Sequence, residues 1–569
     1  MFREKYEMWL ESPYVDEKIK EELKTIEKID SEIEDRFYKD LEFGTGGMRG
    51  KIGAGTNRIN IQTVSKATQG ISNFINEKYP NEAKKVAIAY DSRHMSAEFA
   101  RASACVFAAN GIEVYLFESL RPTPELSYAV RYFKCKAGVV ITASHNPPDY
   151  NGYKVYDENG GQVTKDAEYI IDKINSVKLE DIKSSQYQHN KSIKLIGCEI
   201  DSSYIEEIKK LSLRSNINKS LKIVYTPLHG TGNKLVRKIL EEMEYSNVTI
   251  VKEQENPDPD FSTVKSPNPE EISSFEMAIG LAKEVNGEII IGTDPDCDRV
   301  GLVVKSNDEY IALNGNQTGA LLLNYVLSTL KEQKRIPDNG AIIKTIVTSE
   351  IGRLIASNYG VTTIDTLTGF KYIAELIQSF EESNEHEFIF GYEESYGYLS
   401  GTFVRDKDAV IASMLICEMA AYYKTKNKNL LEILDSIYEE YGCFKEETLS
   451  LYFNGISGQN KMKMIMEHFR ENKINLLAGK KIPLVYDYKM SIASNLVNGQ
   501  IEKIYYPKSD VLKFCFEDDS WVVLRPSGTE PKLKVYFSIK GENEENALVT
   551  LQMAKEEIQN IIERIQYSN

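Results

Sequence analysis

Short apolar runs alternate with stretches of helical periodicity along most of this chain, and the alternation predicts its architecture. Val86–Ser92 reads as a buried strand, Ser96–Asn110 as a helix capped by Ser96 and ended by Gly111, and Glu113–Glu118 as a strand. Thr123–Phe133 follows as a helix with proline in its first turn, then Ala137–Thr142 as another strand. Apolar strands separated by helices argue for a parallel sheet covered by those helices. The unit recurs in Leu221–Tyr225, a helix from Asn233, Val248–Val251, a helix near Glu271–Val285 and Glu288–Ile291. A third copy runs through Ala341–Val347, Glu350–Ser357, Thr362–Asp365, Lys371–Phe380 and Glu387–Phe390. The first forty residues are charged with helical spacing, and the polar stretch Asp181–Ser192 reads as a loop or linker between the first two copies. After Gly442 the pattern changes to mixed strands, among them Trp521–Leu524 and Lys534–Ser538, and a terminal amphipathic helix from about Asn543. The expected domains are 1–205, 206–315 and 316–442, all α/β with parallel or mixed sheets, and an unlike α+β domain, 443–569.

Composition narrows the classes. A chain of 569 residues is too long for one core, and 42% hydrophobic with 27% charged residues is too apolar for disorder. The formal charge of −16 opposes a nucleic-acid partner, which needs a basic footprint, but leaves room for a small anion in a local basic pocket. Seven scattered cysteines with no C-x-x-C pair argue against a zinc cluster or disulfide framework and point to a reducing compartment. The charged N-terminus lacks a signal-peptide core, and the longest apolar run, Val410–Tyr423, carries Glu418. A cytoplasmic protein without a membrane span is the expectation.

In open parallel sheets ligands bind beyond the carboxyl ends of the strands, so the chemistry is sought there. Thr142-Ala-Ser-His-Asn-Pro-Pro-Asp-Tyr-Asn-Gly-Tyr-Lys154 holds a proline-stiffened turn that displays Ser144 as a nucleophile or phosphate carrier, or is a plain connector. Adjacency of Ser144 to His145 does not make a hydrolase dyad, and no G-x-S-x-G elbow is present. Asp294, Asp296 and Asp298 follow a buried strand at i, i+2 and i+4. Such carboxylates repel unless a cation neutralises them. Arg299 and Lys305 stand where a calcium loop needs Gly and Glu, so Mg²⁺ fits better, with a solvated acidic turn as the bland reading. Gly391-Tyr-Glu-Glu-Ser-Tyr-Gly-Tyr398 suits sugar hydroxyls, although a charged turn would look similar. Arg525-Pro-Ser-Gly-Thr-Glu-Pro-Lys-Leu-Lys534 has the charges, hydroxyls and glycine of a phosphate cradle without a Walker A motif, or is a turn before a basic strand. A carrier serine, a magnesium site, a sugar site and a phosphate clamp together are what phosphoryl transfer on a sugar phosphate requires.

These four loops, T-A-S-H-N-P, D-x-D-x-D-R, G-x-E-x-S and R-P-S-G-T-E-P, occur in one order. From Gly44 to about residue 540 the chain resembles the α-D-phosphohexomutase superfamily, in its phosphoglucomutase-like branch with a long N-terminal segment. The resemblance implies four domains around a central cleft, the first three sharing an α/β topology. It implies that Ser144 carries the phosphoryl group and that Asp294, Asp296 and Asp298 hold Mg²⁺ with a phosphoserine oxygen. Glu393 and Ser395 match sugar-binding positions, Thr368 and Gly369 fall at substrate-contacting ones, and Arg525, Ser527, Gly528 and Thr529 match the clamp on the non-reacting phosphate. Arg49 resembles an active-site arginine, His145 and Lys154 positions for acid/base help, Lys407 a phosphate-site lysine, and Arg299 a support for the phosphoserine.

The implied reaction is an intramolecular phosphotransfer through a hexose bisphosphate, with glucose 1,6-bisphosphate as activator and sugar phosphates as the only expected partners. A monomer or weak homodimer is the expected state. Interconversion of glucose 1-phosphate and glucose 6-phosphate is the first expectation. Phe370 and Lys371 stand where broad-specificity relatives often show histidine, so mannose or pentose phosphates stay open. A magnesium-dependent sugar phosphatase would lack the serine loop, and a non-catalytic sugar-phosphate binder would have lost Ser144, an aspartate or Arg525.

Overall fold

A computed structural model describes residues 2–44, 46–453, 455–527 and 532–567. The chain divides into two compact units, Met1–Gly315 with Phe370–Asn429, and Asn316–Gly369 with Leu430–Asn569.

In the first unit, one sheet has six strands in the order Gly47–Lys51, Tyr150–Tyr156, Ala137–Ile141, Lys85–Tyr90, Glu113–Phe117 and Ile193–Ile196. The last four are parallel, and Tyr150–Tyr156 and Gly47–Lys51 return antiparallel on one edge. Ala137–Ile141 is buried along its whole length, as a strand covered on both faces must be. Helices Ile61–Lys78 and Ser96–Ala109 pack against this sheet and bury Val64, Ile71, Phe99 and Phe107. Ser96 is not the cap expected of it. The cap position is Met95, at a φ of +65°, and the Ser96 hydroxyl donates instead to Asp91 at 2.7 Å. The polar stretch before residue 193 is a loop tied to the same domain, with Ser185 N–H on the Cys105 carbonyl and Lys183 N–H on Gln69.

A second sheet follows in the order Glu309–Leu313, Val300–Ser306, Ile289–Thr293, Ile223–Thr226 and Val248–Ile250. Its last three strands are parallel and the first two antiparallel. Glu387–Glu393 and Gly397–Ser400 form a further antiparallel hairpin, backed by helix Phe370–Ser383. The charged N-terminal segment forms three helices, Phe2–Glu11, Glu17–Thr25 and Asp30–Phe37, with their own core of Tyr6, Trp9, Leu23, Ile33 and Phe37.

In the second unit, Gly340–Thr345 pairs in parallel with Thr362–Thr366. A seven-stranded sheet running from Cys443–Tyr452 to Ile501–Lys503 has antiparallel pairs throughout, and helix Glu544–Tyr567 covers it. A buried ion network fastens these pieces: Glu350 receives Lys344 and Lys513, each at 3.1 Å. Lys513 also donates to the Ile346 carbonyl at 2.9 Å. This is the expected α/β organisation with a C-terminal α+β domain. Among the described residues no cysteine is in a disulfide, and no helix is long and apolar enough to cross a membrane.

Candidate active site

Three hairpins of the first unit share one design. A buried strand ends, a short loop turns, and an antiparallel strand returns: Ala137–Ile141 to Tyr150–Tyr156, Ile289–Thr293 to Val300–Ser306, and Glu387–Glu393 to Gly397–Ser400. Each loop holds one non-glycine residue in the left-handed region, Ser144 at φ +53°, Cys297 at +54° and Tyr396 at +65°. That conformation costs an L-residue about 1–2 kcal/mol, so surrounding bonds must enforce it.

At Ser144 those bonds are explicit. Its N–H donates to Thr142 Oγ1 at 2.8 Å, and its hydroxyl donates to Asp294 Oδ2 at 2.8 Å and lies 3.1 Å from His145 Nδ1. Arg93, itself buried, donates to the carbonyls of Ser144 (2.6 Å), Pro147 (2.7 Å), Tyr150 (3.1 Å) and Asn146. One guanidinium thus gathers four carbonyls of the loop, while Asp91 pairs with it at 3.4 Å and Phe261 lies against it. Arg49, on the edge strand Gly47–Lys51, donates to Asn146 Oδ1 at 2.7 Å. That strand can lie so close because of Gly47, at φ +137°, where a Cβ would sit 2.0 Å from the Tyr153 carbonyl.

Asp294, Asp296 and Asp298 are buried, and each offers an oxygen within 4.8 Å of the others. Asp294 Oδ1 accepts the N–H groups of Asp298 (3.1 Å) and Arg299 (3.0 Å). Asp296 Oδ2 accepts from Lys154 (2.7 Å) and Thr123 (2.9 Å), and Asp298 Oδ2 meets Lys407 at 2.7 Å and Lys154 at 3.3 Å. Burial, with Asp296 and Asp298 alongside, pushes the Asp294 carboxyl well above its usual range. Burial also works against the Asp296 anion, but Lys154 outweighs it and holds that carboxyl low. Burial likewise disfavours charge on Lys154 and Lys407, yet the facing aspartates overcome it and keep both ammonium groups protonated. Asp296 Oδ1 and Asp298 Oδ1 are buried without a hydrogen-bond donor. Two orphaned carboxylate oxygens beside a third carboxylate fit a hard divalent cation.

Lys407 is placed by its neighbours. Asp408 caps helix Ala409–Thr425 by accepting from Val410 and Ile411, each at 2.9 Å, and Asp406 accepts from Tyr156 at 2.8 Å. In the third loop Glu393 is buried and accepts from Ser395 Oγ at 3.2 Å. Burial lifts its carboxyl to about 7, opposed by Lys407. The Tyr396 carbonyl accepts the Val300 N–H at 3.2 Å, joining this loop to the metal-loop hairpin. Arg299 pairs with Glu270 and lies 3.9 Å from Asp298. Burial and the Arg299 and Arg49 charges hold His145 neutral, well below its usual range.

The first unit therefore brings together Arg49, Ser144, His145, Lys154, the three aspartates, Arg299, Glu393, Ser395 and Lys407. The remaining expected residues belong to the second unit. Thr368 and Gly369, the latter at φ +112°, follow strand Thr362–Thr366. Arg525 lies opposite Lys534 in the hairpin of Trp521–Pro526 and Lys532–Gly541, and donates to Tyr536 Oη at 3.4 Å. The Ser527 N–H donates to the Lys532 carbonyl at 2.8 Å. Gly528 and Thr529 lie outside the described residues.

Four sequence models of one family, phosphoglucomutase/phosphomannomutase, match in order: α/β/α domain I at 40–180, domain II at 202–307, domain III at 314–441 and the C-terminal domain at 492–556. A curated relative from Staphylococcus haemolyticus, named phosphoglucomutase, is 38% identical over 516 residues, covering 90% of this chain and 92% of the relative. The chain belongs to the phosphoglucomutase/phosphomannomutase family.

It is accordingly a mutase, an enzyme of the isomerase class. The fold agrees with that of solved phosphohexomutases. The open form of parafusin, a phosphoglucomutase from Paramecium, has a TM-score of 0.68 at 18% identity, covering 92% of this chain and 96% of that one. An N-acetylphosphoglucosamine mutase from Aspergillus fumigatus, solved with GlcNAc-6P and magnesium, has a TM-score of 0.53 at 12% identity, covering 94% and 98%.

In this mutase the sequence reading overlooks Arg93, Asp91 and Thr123. Asp91-Ser-Arg93 follows the carboxyl end of strand Lys85–Tyr90, which also borders the ligand crevice but is not the last strand of its repeat. Thr123, the first residue of helix Thr123–Tyr132, carried no signal beyond its place as a helix start, although its N–H and hydroxyl both meet Asp296 at 2.9 Å. Gly230 is a further silent support. Its loop packs beneath the metal loop, where a Cβ would come within 2.5 Å of Pro295 Cα.

Proposed function

We propose that this mutase interconverts glucose 1-phosphate and glucose 6-phosphate through phosphorylated Ser144 and a bound glucose 1,6-bisphosphate. The carrying observation is the Ser144 hydroxyl, held in left-handed backbone 2.8 Å from an aspartate of the buried triad. Asp294, Asp296 and Asp298 would hold Mg²⁺ beside Ser144. The ion, when bound, neutralises charge on the phosphoryl oxygens.

The chain's own groups do the rest. The bond from phosphorus to Ser144 Oγ breaks while one forms to a sugar hydroxyl oxygen, and that hydroxyl's proton leaves. His145 is held neutral beside Ser144 Oγ and is the acceptor at hand. Lys154 and Lys407 stay protonated and offset negative charge around the transferring group, as Arg49 and Arg299 do from beside the loop. Glu393 and Ser395 orient the sugar hydroxyls. Arg525, Ser527, Gly528 and Thr529 grip the phosphate that is not reacting, and Thr368 and Gly369 complete the substrate contacts. The bisphosphate then reverses and returns its other phosphoryl group to Ser144, so free glucose 1,6-bisphosphate acts as activator by priming the serine. Seven unpaired cysteines support a reducing compartment, the cytoplasm.

Intact mass after glucose 1,6-bisphosphate should rise by one phosphoryl group in wild type and not in Ser144→Ala. Glucose 1-phosphate conversion should be all but lost in the variant. Undiminished turnover in Ser144→Ala would overturn the mechanism, and faster turnover of mannose 1-phosphate or ribose 1-phosphate would reassign the substrate.

A further inference from the structure

The N-terminal helices precede the stretch matched by the family's first domain, and with it they line an open cavity of about 610 Å³. That is the size of a small-molecule site. Its lining runs from helix Phe2–Glu11 across the start of helix Ile61–Lys78 to the end of helix Ala167–Ser176, and includes none of the active-site residues named above.

Trp9, Phe43, Met48 and Ile174 give the cavity an apolar, partly aromatic wall. Two polar groups break it. Gln62 is only 8% exposed, and although its main-chain N–H donates to Asn60, its carboxamide has no partner among the described residues. Trp9 is 3% exposed, and its indole N–H likewise has no acceptor among them. Neither is among the polar atoms sealed off inside protein, so the space they meet is the cavity. Donors that open onto a cavity and have no protein acceptor are placed to bond a ligand that supplies one. Lys66 lies one turn beyond Gln62 on the same helix face and also lines the cavity. Its ammonium forms a loose ion pair with Asp40 Oδ2 at 3.9 Å, beyond hydrogen-bond range, and Lys5 donates to the other oxygen of the same carboxylate at 2.8 Å.

We propose that this cavity is a second ligand site that takes a small aromatic anion. The ring packs on the apolar wall, acceptor atoms meet the Gln62 carboxamide and Trp9 indole, and the anionic group faces Lys66.

The probe is 1-anilinonaphthalene-8-sulfonate, titrated by fluorescence into the full chain. Saturable one-to-one binding that glucose 1-phosphate does not displace is expected. Lys66→Glu should weaken it at least tenfold and Gln62→Leu severalfold, with mutase activity and near-ultraviolet circular dichroism retained in both as proof of folding. Absence of saturable binding in wild type, affinity unchanged in either variant, or displacement by glucose 1-phosphate overturns the proposal.

Discussion

In the proposed reaction the serine loop and the clamp hairpin would handle the same kind of group, a phosphate, and the two are built with opposite degrees of preparation. Around Ser144 the main chain is pinned by Arg93 to four carbonyls, the serine is 3% exposed, and its hydroxyl already faces Asp294. Arg525 in the second unit is half-buried, and among the described residues its guanidinium makes one long hydrogen bond, to Tyr536. Transfer chemistry gains from fixed geometry, since a catalytic group displaced by an ångström loses much of its advantage. A clamp that would have to accept a bisphosphate in two orientations gains from a guanidinium that is not locked in a rigid fork.

The contrast can be broken at its strong end first. Asp296→Asn, in which Lys154 and Thr123 lose their anionic partner, should lower kcat by about 10³-fold or more with Mg²⁺ saturating. A loss confined to KM would show that the triad is not part of a prepared site. Next comes Glu393, whose buried carboxyl is lifted from its ordinary 4.5 to about 7. Between those values the folded state keeps a proton that the unfolded chain has released. Stability therefore falls as pH rises through this window and levels off above about pH 7, with a maximal effect of about 3 kcal/mol. Urea midpoints of Glu393→Gln measured against wild type from pH 4 to 8 should show the variant gaining relative stability over that window. A constant difference would mean that Glu393 is not buried as an acid.

Arg93→Lys replaces a fork that reaches four carbonyls with a single ammonium. It should lower kcat by about 10²-fold while KM for glucose 1-phosphate changes little, because the loop is misplaced rather than the sugar site. Steady-state kinetics separates the two, and wild-type kcat in the variant would show that the loop holds its shape unaided. The smallest effect is expected at the clamp. Arg525→Ala should raise KM about tenfold with a lesser change in kcat. If it instead matches Asp296→Asn in kcat, the difference between the fixed serine loop and the loosely held Arg525 disappears.

Much of this was legible from local pattern, because strand and loop identity are written in short windows. Ile289–Thr293 is apolar and the aspartates follow it directly, so the position of the metal loop could be read without partners. The return strands were harder. Tyr150–Tyr156 and Gly397–Ser400 are short and rich in tyrosine and glycine, and pairing direction is set by tertiary contacts. Ser96 looked like a cap by residue type, yet Asp91 captures its hydroxyl, a competition no window of sequence reveals. Arg93 escaped for the same reason: its partners are carbonyls more than fifty residues away, which carry no side-chain signature. The N-terminal helices showed their charge before their core, since Tyr6, Trp9, Leu23 and Phe37 are spread thinly among acids and lysines.

Lys154 and Lys407 have one more consequence, for how the enzyme is made. Many metal sites cannot form until the ion arrives, because their ligands repel one another in its absence. Here two protonated amines serve as resident counter-ions to Asp296 and Asp298. The loop can therefore take its shape before any ion arrives, and the divalent cation proposed for this site would enter a loop already in place.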